Sequence, residues 1–402
     1  MDSIINTKWP TSKIRDLCDV SRGASPRPIA DQKYFEGGHI PWIKIADATK
    51  SGKYLYETKQ YVNDYGASFS KILPAGTIIV AASGTLGYTQ ILGVSGCAHD
   101  GWLILTNLKN FNKDYAYYVL QQMQKHFYNS AYGAAIQNIN TEILKETIIP
   151  CPPLQVQHKI AAILSAYDDL IENNLRRIRI LEEMAQNLYR EWFVNFRFPG
   201  HENTRFVDSP LGQIPEGWEV VKIGDLLGKI KRVTKVPKSS YKVDGLYPVI
   251  DQGKDFIGGY TDHEESIISN DLPLIVFGDH TRVLKYIDFP FARGADGTQL
   301  LKSNNKRMPM SLFYYSLLAI DLSSYAYARH FKFLKDEKIL LPDSTTAKAI
   351  DKLLAPKLDN IKMLMKKNGK LRQTRDLLLP KLISGEVDVS ELDIKVPEEV
   401  AI

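Results

Sequence analysis

The sequence lacks the signatures of a catalytic centre. Each of Gly52-Lys53, Gly228-Lys229, Gly253-Lys254 and Gly369-Lys370 is followed by a residue other than Ser or Thr, so no GxxxxGK[ST] phosphate loop exists. No GxGxxG follows a strand-like run, and HExxH, GxSxG and CxxC are missing. So is the Asn/Asp-Pro-Pro-Tyr tetrapeptide that amino-methyltransferases place over a target base. Cysteine is scarce as well. Cys18, Cys97 and Cys151 stand far apart, which excludes a zinc finger or a disulfide framework and suits a reducing cytoplasm. The segment Met1–Lys8 has no apolar signal core. The most apolar stretch, Thr77 to Val94, is interrupted by Gly84, Thr85, Gly87 and Gln90, so no membrane span is expected.

What is present is a soluble composition of 402 residues, 44% hydrophobic and 24% charged, with a net charge of +5. That length predicts two or three domains, and the mild basicity is compatible with nucleic acid without requiring it.

The chain is written twice, with a period near 190 residues. One copy opens on Trp9-Pro-Thr-Ser-Lys-Ile-Arg-Asp-Leu17, the other on Gly217-Trp-Glu-Val-Val-Lys-Ile-Gly-Asp-Leu226, each reading as a short strand and a helical turn. Bodies of short strands follow, since β-branched and aromatic runs are bounded by Gly and Pro. The first has His39–Ile45 and Gly76–Val80; the second has Tyr247–Ile250, Leu274–Phe277 and Val283–Ile287. Helices are expected over Asp114–Phe127 and Pro309–Leu318, and closing strands at Thr147–Pro150 and Ile339–Pro342.

A long helix should follow each closing proline. No Pro or Gly occurs from Leu154 to Trp192, enough for about 58 Å of continuous helix. Ile160, Leu164, Tyr167, Ile171, Asn174, Ile178, Leu181, Ala185, Leu188 and Trp192 recur in alternating steps of four and three, the spacing of a coiled-coil seam. A shift of 190 lands on Ile350, Leu354, Lys357, Ile361, Leu364, Asn368, Leu371, Arg375, Leu378 and Leu382. This second seam is less regular, and Pro356, Gly369 and Pro380 should kink or fray it. An apolar seam left in water is unfavourable, so the two helices are expected to pair antiparallel, with Asn174 and Asn368 fixing register. The alternative is that each packs on its own body.

Base reading needs Arg, Lys, Asn, Gln or hydroxyl side chains projecting from loops or helix ends. The candidates in the first body are Arg22, Arg27, Lys44, Ser83, Thr85, Gln137 and Asn138. In the second they are His280, Thr281, Arg282, Arg293, Gln299, Arg329, His330 and Lys332. The acid-free run Gly228–Val243 adds Lys231, Arg232 and Lys235 as phosphate contacts. For each, ordinary loop polarity is the competing reading. The glycine-rich loop Ala82–Gly87 is read as letting backbone approach DNA. Asp279 and His280, with Asp296 nearby in sequence, are the sole candidates for acid–base chemistry, against a plain polar loop.

Several segments carry a family resemblance. They are Ile148-Ile-Pro-Cys-Pro-Pro-Leu-Gln-Val-Gln-His-Lys-Ile-Ala-Ala-Ile-Leu-Ser-Ala-Tyr-Asp-Asp-Leu-Ile-Glu-Asn-Asn174, Arg190-Glu-Trp-Phe-Val-Asn-Phe-Arg-Phe-Pro-Gly200 and Leu378-Leu-Pro-Lys-Leu-Ile-Ser-Gly-Glu386. Phe277-Gly-Asp-His-Thr-Arg282, Phe291-Ala-Arg-Gly-Ala-Asp-Gly-Thr-Gln299 and Tyr327-Ala-Arg-His-Phe-Lys-Phe333 add to it. Together the chain resembles the specificity subunits of type I restriction–modification systems.

The resemblance implies an α+β chain: two globular target recognition domains of mixed α/β structure, separated by two long helices paired as an antiparallel coiled coil. Residues 1–152 and 198–342 would be the recognition domains, 153–197 and 343–390 the helical spacers, and 391–402 a tail. Each domain would read one half of a bipartite, asymmetric site in double-stranded DNA. The helices would set the gap and dock two methyltransferase subunits, joined in turn by restriction subunits. The chain itself would be non-catalytic and bind no cofactor or metal, with S-adenosylmethionine, ATP and Mg expected on its partners. Other readings are a recognition module of a single-chain methylase-nuclease, and a stand-alone enzyme acting through Asp279 and His280.

Overall fold

Each body begins and ends on the same pair of strands. In a computed structural model, which describes residues 7–48, 52–130, 138–325 and 329–396, Thr11–Lys13 pairs antiparallel with Ile148–Pro150, and Glu219–Lys222 with Lys338–Leu341. Between them each body carries a four-stranded sheet of one plan. In the first the order is Gln60–Val62, Ile40–Ile43, Gly96–Ala98, Ile72–Leu73. In the second it is Gly259–Thr261, Tyr247–Ile250, Phe291–Arg293, Ile267–Ile268. The two inner strands run parallel in both, and the outer strands antiparallel.

A second sheet backs the first. Leu274–Gly278 lies between Leu284–Ile287 and Thr298–Leu301. The counterpart has Ile78–Ala81 between Thr89–Leu92 and Trp102–Thr106, extended by Tyr54–Leu55 and Asp19–Arg22. The central strands Ile78–Ala81 and Leu274–Gly278 are buried at every position, which is why they read as unbroken apolar runs rather than alternating ones. The strand expected over His39–Ile45 ends at Ile43, because Lys44 N–H donates to the Asp47 carboxylate at 3.3 Å and the chain turns into Ile45–Ala48.

The long helices span Leu154–Phe193 and Ser344–Ser384. Two units divide the chain: Met1–Leu175 with Met365–Ile402, and Arg176–Leu364. In the first, Asp168 meets Arg375 and Asn174 meets Asn368, an antiparallel pairing. In that unit Ile160, Leu164, Leu379 and Leu382 share one buried cluster with Ile78, Tyr115 and Phe127 of the body. In the other, Ala185, Trp192, Ile350, Leu354 and Leu358 share a cluster with Phe277, Phe313 and Leu341. Helix pairing and packing on the neighbouring body therefore occur together.

The second seam keeps the expected register at Ile350, Leu354, Ile361, Leu364, Asn368 and Leu382 and departs from it at two positions. Leu358 is buried where Lys357 was expected, and Leu379 is more buried than Leu378. The second helix continues through Pro356, Gly369 and Pro380, where a kink or fraying is expected, without ending at any of them. All three lie on its exposed side, where water can satisfy a carbonyl that has lost its helical donor. Beside the first proline, Lys357 Nζ donates to the Leu353 carbonyl at 2.9 Å. Among the described residues no helix is long and apolar enough to cross a membrane.

Candidate nucleic-acid interface

Four matching backbone bonds superimpose the loops of the two bodies. His99 N–H donates to the Ile43 carbonyl at 3.2 Å, and Gly294 N–H to the Ile250 carbonyl at 2.8 Å. Ala82 N–H reaches the Gly101 carbonyl, as Asp279 N–H reaches that of Gly297, both at 2.8 Å. Ile139 N–H donates to Ala82 as His330 N–H does to Asp279, both at 2.9 Å. Ala81 N–H closes its loop on the Tyr88 carbonyl and Gly278 N–H on that of Val283, again both at 2.8 Å. These bonds make Lys44 equivalent to Asp251, the 99–101 turn equivalent to 294–297, and Asn138 equivalent to Arg329. In each body, loops from separate strands converge at one end of the sheets.

In the first body the convergence centres on Asp100. Its carboxylate ion-pairs with Arg27 and lies 3.0 Å from His99 Nδ1, while its carbonyl accepts from Arg22 Nε at 2.7 Å. Its N–H donates to Ser25 Oγ at 3.1 Å. Burial pulls the His99 imidazole below its ordinary value; Asp100 acts in the opposite sense, and Lys44, Arg27 and Arg22 reinforce the lowering. Ser83 is half-buried near this turn, and Thr85 is exposed at a loop tip. Asn138 is half-buried, and its Oδ1 has no hydrogen-bond partner among the described residues. Five of the expected residues, Arg22, Arg27, Lys44, Ser83 and Asn138, thus gather around one turn; Gln137 lies outside the described residues.

The two loop glycines of the first body differ in their surroundings. Gly87, at φ +72°, would put a Cβ within 2.8 Å of Phe127, so it serves packing within the body. Gly84, at φ +68°, faces open space.

In the second body Gln252 organises the loops. Its Oε1 accepts from His280 N–H at 3.1 Å, its carbonyl from Thr281 Oγ1 at 2.6 Å, and its Nε2 donates to the Asp296 carbonyl at 2.9 Å. Gly297, at φ +83°, leaves room for that amide, since a Cβ there would lie 2.4 Å from Gln252 Nε2. Asp296 ion-pairs with Lys235 at 2.8 Å, and its carboxyl is held below the ordinary range by that hydrogen bond and charge, aided by Arg329 and Arg293. His280, Arg329, Lys332, Lys231 and Arg232 are exposed, and Gln299 is half-buried opposite Phe277.

Several expected readers are committed to structure. His330 is buried, with Nδ1 2.9 Å from the Asp279 carbonyl and Nε2 2.9 Å from the Tyr325 carbonyl, so its expected role as a base contact is corrected to that of a clasp. Arg293 is half-buried and donates Nε and Nη2 to the Thr298 carbonyl, at 3.2 and 2.7 Å. Arg282 occupies the left-handed region at φ 60°, with Nη1 on the Leu322 carbonyl at 3.0 Å. Asp279 is buried, and its Oδ1 accepts from Phe331 N–H at 2.8 Å, which removes it as an acid–base partner for exposed His280.

Asp100 and Gln252 are not among the residues expected from sequence, and Asp296 is expected there only as a catalytic candidate. Asp-Gly at 100–101 and again at 296–297, close to one repeat apart, is a signal for the two aspartates, though the same dipeptide recurs at 244–245, and no motif marks Gln252.

The family model for the type I restriction modification DNA specificity domain matches residues 6–183 and 215–373. The MjaIX specificity subunit of Methanocaldococcus jannaschii is 27% identical over 413 residues, covering 96% of this chain and 94% of that protein. The putative MjaX specificity subunit of the same organism is 28% identical, covering 95% and 94%. In fold, the chain is similar to the crystal structure of the S subunit of a type I restriction–modification system from M. genitalium, with a TM-score of 0.60, 18% identity and coverage of 95% and 98%. The chain belongs to the type I restriction modification DNA specificity family.

Proposed function

We propose that each body reads one half of a bipartite, asymmetric site in double-stranded DNA on behalf of a type I restriction–modification complex. The observation that carries this is the repeated loop scaffold: the same four backbone bonds hold different polar side chains in the two bodies, Lys44 against Asp251 and Asn138 against Arg329, with Arg22 and Arg27 or Lys235 beside them. Fixed backbone with variable polar side chains is what two readers of unlike sequences require. The long helices act as spacer and as docking surface for two methyltransferase subunits. Leu170 and Leu377 are 54% and 61% exposed in one unit, and Ile180 and Met184 are 47% and 51% exposed in the other, apolar surface suited to a protein partner. S-adenosylmethionine, ATP and Mg belong to the partner subunits, and this chain contributes specificity rather than chemistry.

The test is to sequence genomic methylation with and without the gene. Loss of one bipartite adenine motif on deletion is expected, and an unchanged methylome overturns the reading. Methyl transfer by the purified chain alone would overturn the non-catalytic role.

A further inference from the structure

We propose that Asp100 and Asp296 are one repeated positioning residue, whose negative charge aims the neighbouring basic side chains and opposes their indiscriminate attachment to phosphate. The proposal rests on the DNA-reading role above and deepens it.

The two aspartates occupy one place in the repeated scaffold. Each precedes the glycine, Gly101 or Gly297, whose carbonyl accepts from the loop of the neighbouring sheet. Each carboxylate is paired with a basic side chain from the segment that follows its body's opening strand, Arg27 in one case and Lys235 in the other, and Arg22 adds a bond to the Asp100 carbonyl. His99-Asp100-Gly101-Trp102 and Ala295-Asp296-Gly297-Thr298 share the acid and the glycine after it, while the flanking residues differ.

Stability does not account for the acid at position 296, although Asp100, 29% exposed and tied to Arg27 and Ser25, also holds its own turn. The Asp296 side chain is 96% exposed, and an ion pair in that setting contributes little to folding. Asp296 is also an acid among cations, Lys235, Arg293 and Arg329, on the surface assigned to DNA. A carboxylate there repels every phosphate, whatever the sequence. It therefore weakens binding to any duplex whose bases give nothing in return. On the correct sequence, base contacts offset that cost, and the ion pair has already restricted the cation's rotamers. The acid thereby raises the ratio of specific to non-specific affinity, the quantity a DNA reader depends on.

The experiment uses the full chain assembled with its methyltransferase partners. Affinities of wild type, Asp296→Asn and Asp100→Asn are measured against the cognate duplex and an unrelated duplex over a fourfold range of salt. Each variant should bind unrelated DNA more tightly. Its salt dependence should steepen by up to one phosphate equivalent, about threefold in affinity across that range. The ratio of cognate to unrelated affinity should fall, and Asp→Glu should restore much of it. An unchanged ratio and salt slope in Asp296→Asn overturns the proposal, because its exposure leaves no folding defect to blame. For Asp100→Asn, an unchanged melting temperature with a lowered ratio supports it, and an unchanged ratio counts against it. A wild-type complex that fails to prefer any duplex would instead overturn the DNA-reading role itself.

Discussion

Asn174 Nδ2 donates to Asn368 Oδ1 at 2.8 Å, and Asn368 Nδ2 reaches the Ile171 carbonyl at 3.3 Å. Both asparagines are buried on the seam between the long helices, where Asn368 accepts from Asn174 and donates to the backbone of the first helix. Asn368→Leu should cost about 1–3 kcal/mol, since it strands the Asn174 amide. The double leucine variant should regain most of that, while losing the feature that selects one register. Denaturant midpoints of the two single variants and the double variant, read as a cycle, check this.

Asp168 is held by Arg375 from the other long helix and by Tyr118 Oη at 2.5 Å. Burial acts to lower the Arg375 guanidinium, but Asp168 and Asp376 outweigh it and raise it overall. Arg375→Met would leave a buried carboxylate without its counter-ion, at a cost of roughly 3 kcal/mol. Thermal unfolding should show the loss, and Asp168→Leu combined with Arg375→Leu should recover much of it.

The exposed cations should separate by what they touch. Lys231→Ala with Arg232→Ala should weaken binding to all duplexes alike and flatten the salt dependence by about 0.9 for each phosphate no longer neutralised. Arg329→Ala should relax the base requirement at one position of the second half-site, at about 1–3 kcal/mol, and leave the first half-site unaltered. Binding to a panel of single-base variants distinguishes the two outcomes.

Burial holds His99 below its ordinary value, so the folded chain takes up this proton later than the unfolded chain. As pH falls below about 6.5, the unfolded state binds the extra proton first and stability drops. The melting temperature should therefore fall from pH 7 to pH 5.5, and His99→Gln should fall less over the same interval.

If the helices set the gap, inserting four residues after Asn174 adds about one turn and should change the spacing accepted between half-sites. Methylation of a library with varied gaps reads this directly, and an unaltered spacing assigns the gap to something other than the helices.

Much of the architecture is legible in the sequence because it rests on local rules. The 154–192 seam is visible from its three-four spacing, and the closing strands from their terminal prolines. The second seam is legible only in part: a shift of 190 assumes equal repeats, whereas burial selects Leu358 over Lys357. Pro356 and Pro380 mark points where the helix should kink or fray, but sequence alone does not show that both lie on the face that meets water. Within the site, residue type suggests Arg22, Arg27 and Lys44, but their convergence on Asp100 comes from strands far apart in the chain. His330 illustrates the opposite limit: its polarity suggests a DNA contact, while its burial between two carbonyls depends on tertiary placement.

Thr11 lies opposite Pro150, and Glu219 opposite Leu341. Each body therefore leaves its supports through the same narrow collar by which it entered, both ends clamped side by side. Chain strung between those clamps can lengthen or shorten in its outer loops, provided the face that packs on the helices, with Tyr115 and Phe127 in one body and Phe277 and Phe313 in the other, keeps its apolar fit. Novel sequence preferences can thus be acquired at the loop end of a body while the end that grips the helices stays as it was.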